Sequence, residues 1–139
     1  MNEFIELKLP SVIGSVDEAA SQAESFVRSC GLGDDFASAI DLAVRESVAN
    51  AVKHGNKFDP EKVVELKFLR SPKGLEIFVR DFGPGFAPEE IPDPTNPENL
   101  LKANGRGILF MRSFMDEVEW SNHDDGGMVV KMIKWQLSQ

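Results

Sequence analysis

The sequence predicts an α+β fold: a two-layer α/β sandwich whose mixed, mostly antiparallel sheet carries its helices on one face. Three observations predict it. An alternating apolar–polar strand opens the chain, and two helical periodicities follow it. After them come two pairs of strand patterns, each pair joined by a turn. The size fits: 139 residues, 42% hydrophobic and 27% charged, describe one domain over residues 1–139 with a real core.

Residues 4–9 alternate around Ile5, Leu7 and Leu9 and read as a half-buried strand that Pro10 ends. Ser15 with Glu18 has the spacing of a capping box, which predicts a helix from Val16 to Arg28. Gly31 and Gly33 break that helix, and Asp34 or Asp35 is placed to cap a second, longer one. Its apolar stripe is Phe36, Ile40, Ala43, Val44 and Val48, with Gly55 expected just past its end. Strands over Val63–Leu69 and Leu75–Arg80 are joined by the tight turn Ser71-Pro72-Lys73-Gly74. From Pro84 to Pro97 five prolines fall in fourteen residues, so this stretch is expected to be a long loop, and long loops in compact domains are usually functional. Ile108–Met115 then reads as a short apolar helix. Val118–Trp120 and Met128–Trp135 read as a final hairpin across Asp124-Asp125-Gly126-Gly127.

Composition removes several function classes. A net charge of −8 argues against direct nucleic-acid binding and against an anionic membrane, since both reward basic surfaces. No apolar run approaches membrane-spanning length, and the acidic start Met1-Asn2-Glu3 is unlike a signal peptide. The single cysteine, Cys30, has no internal disulfide partner and reads as a small buried hydrophobe, which makes the cytoplasm the expected compartment.

Three short clusters carry chemistry. Glu46, Asn50 and His54 are spaced by four and so share one face of the second helix. A carboxylate beside an amide oxygen suits a hard cation such as Mg²⁺, and the same carboxylate is a general base for a hydroxyl. The plainer reading is a solvated Glu–Asn face, with His54 complementing the helix dipole. Asp81 follows an apolar strand and precedes Gly83, Gly85 and Phe86. A carboxylate at a strand end accepts a hydrogen bond from an adenine amino group and rejects the guanine carbonyl, while glycines let backbone pass beneath the base. The alternative is an Asp-Gly turn into the loop with Phe86 as a core anchor. Gly105, Arg106 and Gly107 precede the apolar helix, where backbone N–H groups and a guanidinium suit a phosphate tail. A loop end capped by Asn104 is the simpler account of that cluster.

Taken together and in this order, E-x-x-x-N-A-x-x-H at Glu46 to His54, D-x-G-x-G-F at Asp81 to Phe86 and G-R-G at Gly105 to Gly107 resemble the GHKL superfamily of ATPases and kinases. More narrowly, the chain resembles the anti-sigma-factor serine/threonine kinase branch, over nearly its whole length. The resemblance implies the GHKL (Bergerat) ATP-binding fold, with ATP and Mg²⁺ as ligands. It implies that Asn50 holds Mg²⁺, that Glu46 is the base for a serine hydroxyl on a partner, and that Asp81 binds the adenine amino group. Gly83 and Gly85 would floor the pocket, residues 86–104 would form a lid, and Arg106 and Gly107 would contact phosphates. The implied partners are a sigma factor and an anti-anti-sigma protein of the STAS type, with the chain itself a homodimer.

The alternative is a non-catalytic ATP-binding module that uses nucleotide to set its shape for a protein partner. A sensor histidine kinase fragment is disfavoured, because residues before 34 contain no histidine to accept phosphate. A gyrase-type clamp is disfavoured too, because it needs a second domain to supply a phosphate-binding lysine.

Overall fold

The computed structural model describes residues 4–84 and 114–136. The elements run β1 (Phe4–Pro10), α1 (Ser15–Ser29), α2 (Asp34–Asn50), a π-helical turn (Ala51–Gly55), β2 (Val63–Ser71), β3 (Gly74–Arg80), β4 (Glu117–Asn122) and β5 (Met128–Trp135). The strands form one five-stranded sheet in the order β1-β2-β3-β5-β4. Every pairing is antiparallel, from Phe4↔Leu69 at one edge to Asn122↔Met128 at the other. The mostly antiparallel sheet foreseen from sequence therefore contains no parallel pair among the described residues.

Period-two alternation sorts the side chains to two faces. Val64, Leu66 and Phe68 of β2, Leu75, Ile77 and Val79 of β3, and Val130 and Met132 of β5 are buried on the helix side. They meet Ala19, Ala23, Phe26 and Val27 of α1, and Ile40, Ala43, Val44 and Val48 of α2, in one cluster. Alanines on both helices keep the inner surfaces thin. Phe26 then reaches Phe68, with ring centroids 6.0 Å apart. The opposite face is charged, with Glu65 bridging Lys8 at 3.5 Å and Arg80 at 3.4 Å. Among the described residues the helices thus lie on one face, as the residue pattern demands.

The elements match the sequence expectation closely, and the ends differ for identifiable reasons. The capping box does not form: Gly14 is the N-cap of α1, and no side chain caps it. Ser15 Oγ instead donates to the Pro10 carbonyl at 2.7 Å, tying the helix start to the end of β1. Glu18, the other half of the expected box, accepts from Gln22. Neither Asp34 nor Asp35 caps α2 by a side-chain hydrogen bond, because Gly33 takes the cap position. Asp34 is drawn back to Arg28 at 3.2 Å. Gly55 is not a residue beyond the helix end but the last residue of the π turn. That turn closes with Asn56 N–H donating to the Ala51 carbonyl at 2.7 Å. The β2–β3 turn is as tight as expected, with Ser71 paired to Gly74. Cys30 is buried in the core cluster. The loop expected over 84–97 lies beyond the described residues except for Pro84, and of the helix expected over 108–115 only Phe114 and Met115 are described.

Candidate nucleotide site

Asp81 is the first residue after β3 and remains bonded to β5, its N–H donating to the Met128 carbonyl at 3.0 Å. Its side chain turns inward and is 8% exposed. Oδ1 accepts two backbone N–H bonds, from Gly83 at 2.9 Å and from Met128 at 3.2 Å. Oδ2 accepts none from the described residues, which leaves one carboxylate oxygen for a donor from outside. Burial raises the carboxyl above its ordinary value, opposed by the two N–H bonds and by the charges of Lys62 and Arg80.

Three glycines allow the close packing around Asp81, one against its carboxylate and two against neighbouring backbone. A Cβ on Gly55 would collide with Asp81 Oδ2. One on Gly83 would strike the Gly55 carbonyl, and one on Gly127 would strike the Asp81 carbonyl. Gly127 also has φ +87°, a left-handed conformation that a side chain would strain. The glycine expected from sequence to admit a ligand, Gly83, therefore also admits the end of the π turn.

The approach of Gly55 to Asp81 brings the first two motifs together. Glu46 and Asn50 lie on the last turns of α2, both half-buried, and the π turn leads from Asn50 directly to Gly55. His54 is exposed on that turn. Partial burial, and then the charge of Lys53, hold its pKa below the ordinary value, so it is a weaker cation than its place near a helix end suggested. Gly85, Phe86, Gly105, Arg106 and Gly107 lie outside the described residues, as do Lys102 and Asn104.

Sequence reasoning missed Asn56. It is 1% exposed and joins three segments. Its Nδ2 donates to Ser11 Oγ and to the Val63 carbonyl, both at 2.9 Å, and its Oδ1 accepts from Phe82 N–H at 2.7 Å. The signal available in sequence was a polar residue between a helix end and a strand, which describes many ordinary turns.

Comparison with known proteins bears on the family and the fold. The family model described as histidine kinase-like ATPase domain matches residues 9–134. An anti-sigma F factor of Anoxybacillus flavithermus is 35% identical over 104 residues, covering 72% of this chain and 70% of the relative. The serine-protein kinase RsbW of Bacillus subtilis is 28% identical over 139 residues, covering 96% of this chain and 86% of the relative. In fold, the chain is similar to a crystal structure of the RsbU and RsbW domains of a Mycobacterium tuberculosis protein. That match has a TM-score of 0.63 at 16% identity, over 98% of this chain and 33% of the other. With the Asp81 carboxylate set against the end of the Glu46–His54 helix, and with a family model covering most of its length, the chain belongs to the histidine kinase-like ATPase domain family.

Proposed function

We propose that this chain is an ATP-dependent serine/threonine protein kinase acting as an anti-sigma factor, which phosphorylates a serine of an anti-anti-sigma partner. The observation that carries the nucleotide part is the Asp81 carboxylate, whose Oδ1 is filled by Gly83 and Met128 while Oδ2 accepts no hydrogen bond from the described residues. Relatives named anti-sigma F factor and serine-protein kinase support the kinase and anti-sigma parts.

In this reading Asp81 Oδ2 accepts the adenine amino N–H, and a guanine carbonyl in the same place would meet oxygen with oxygen. Gly83, with Gly85 and Phe86 after it, shapes the pocket beneath the base. Glu46 takes the proton from the serine hydroxyl as its oxygen bonds to the γ-phosphorus and the β–γ bridging bond breaks, releasing ADP. Gly105, Arg106 and Gly107 hold phosphate oxygens, and His54 lies at the rim. Asn50 offers an amide oxygen to Mg²⁺. Among the described residues no group of three His, Cys, Asp or Glu side chains could hold a metal ion, and a single amide oxygen suits an ion that keeps phosphate and water as its other ligands. When bound, Mg²⁺ supplies charge neutralisation to the phosphates.

The partners in this reading are a sigma factor and a STAS-type anti-anti-sigma protein, and the chain is a single-domain homodimer of the cytoplasm. Among the described residues no helix is long and apolar enough to cross a membrane.

The test is transfer of label from γ-labelled Mg·ATP into lysate proteins of the native cell, wild type beside Glu46→Gln. Acid-stable label on one small protein is expected. In the variant transfer should fall by at least about a hundredfold, while ATP affinity stays within about twofold. Equal transfer by the variant would remove Glu46 as the base. ATP binding without any transfer by wild type would favour a non-catalytic, nucleotide-gated binding module.

A further inference from the structure

We propose that Asn56 is a positioning residue of the nucleotide site, holding the Asp81–Phe82 peptide so that the Asp81 carboxylate presents Oδ2 to the base. The inference rests on the ATP-site reading above and extends it to a residue outside its motifs.

The side-chain amide of Asn56 is used in a single orientation. Phe82 N–H can only donate and the Val63 carbonyl can only accept, so Oδ1 must face Phe82 and Nδ2 must face Val63. Ser11 Oγ, 1% exposed, takes the second Nδ2 proton. No other residue of this length meets all three demands. Aspartate would set an oxygen against the Val63 carbonyl, serine is too short, and leucine would deprive Ser11 Oγ, the Val63 carbonyl and the Phe82 N–H of these bonds.

The position of the clamp links it to the site. Phe82 N–H belongs to the peptide that leaves Asp81, and the next N–H along, that of Gly83, holds Asp81 Oδ1. Releasing the first peptide lets the second rotate, and the carboxylate loses one of its two backbone donors. Asn56 also follows Gly55 directly, so the residue that fixes the Phe82 peptide is adjacent to the glycine packed on Oδ2. Through its other two bonds it anchors both to the start of β2 and to the segment after β1.

The experiment measures ATP and GTP dissociation constants of the full chain, well below each protein's melting temperature, for wild type, Asn56→Ala and Ser11→Ala. Ser11→Ala removes one arm of the same network without touching the Phe82 peptide, so it reports a structural role alone. Asn56→Ala is expected to weaken ATP about tenfold and to shrink the ATP-over-GTP preference by a similar factor. Ser11→Ala should lower the melting temperature and leave both constants within about twofold. An Asn56→Ala protein with wild-type ATP affinity, or with an unchanged ATP-to-GTP ratio, overturns the inference. Should that variant not fold, amide exchange in the wild type decides: Phe82 N–H is expected to be protected, and rapid exchange overturns the clamp. Wild-type protein that binds no ATP would overturn the site reading itself, an outcome told apart because it precedes any substitution.

Discussion

At the end of β3, Asp81 and Asn56 are held largely out of solvent, with the backbones of Gly55 and Gly127 packed closely on Asp81, whereas along α1 and α2 the polar groups of Arg45 and its partners stand in water. The first group is 8% and 1% exposed for Asp81 and Asn56. In the second, Arg45 bridges Asp17 of α1 at 2.6 Å and Asp41 of α2 at 3.1 Å, with its side chain 43% exposed. Both are networks of polar contacts. They differ in what water does when a partner is lost: it replaces the missing group around Arg45 freely, and replaces far less well a group lost from the Asn56 side chain or from Asp81 Oδ1, which the fold holds largely out of solvent. The buried cluster is therefore where single changes should be felt.

The largest effect is expected from Gly127→Ala. The residue has φ +87°, and its new methyl would meet the Asp81 carbonyl, which is backbone with little room to yield. A loss of about 2–4 kcal/mol in denaturant unfolding is expected. A loss under about 1 kcal/mol would mean that the buried cluster is softer than its geometry, and would weaken the contrast with the helix surface.

Next in size is Asp81→Asn. An amide oxygen can keep both backbone N–H bonds while removing the acceptor for the base, so ATP affinity should fall about a hundredfold. Stability should hold or rise, because a charge kept out of water is removed. The sign of the pH dependence follows from the same burial. The native carboxyl titrates above its ordinary 3.8, so the native state holds its proton more readily than the unfolded chain does. Its contribution to stability is fully present below that ordinary value and is lost as pH rises through the native one. Nucleotide binding runs the other way, because the base amino group needs the ionised form. ATP affinity should thus decline on acidification at a higher pH than an exposed aspartate would give. Titration of affinity against pH, wild type beside Asp81→Asn, checks both directions, and a flat wild-type profile would count against Asp81 as the acceptor.

The smallest effect is expected at Arg45→Ala. Its guanidinium is held above its ordinary pKa by hydrogen bonds to Asp17 and then Asp41, yet solvent screens most of that interaction. After that discount a change of no more than about 0.5 kcal/mol is expected, shrinking further in salt. A loss as large as that of Gly127→Ala would erase the distinction between the two regions.

Much of this contrast was hidden in the sequence, while most of the fold was not. The strands β1, β2, β3 and β5 follow their alternation to within two residues at each end, and of the expected α2 stripe Ile40, Ala43, Val44 and Val48 are buried as their spacing requires, while Phe36 is half-buried against the core. Glu46 and Asn50 share a helix face for the same reason. Capping was less legible. Ser15 and Asp34 have the residue types of caps, but the Pro10 carbonyl and the Arg28 guanidinium lie closer to hand and take those side chains.

By itself the sequence determined the alternations, the helical stripes, the turn between β2 and β3 and the order of the three motifs, because each depends on neighbours within a few residues. Only the tertiary structure decided which glycine faces which carboxylate oxygen and what Asn56 does. Two of the three partners of Asn56 are distant in the chain, Ser11 by 45 residues and Phe82 by 26. No local propensity encodes such a meeting. It exists because an antiparallel sheet and two helices, each formed for local reasons, bury their apolar faces together and bring the ends of β1, β3 and the π turn to one place.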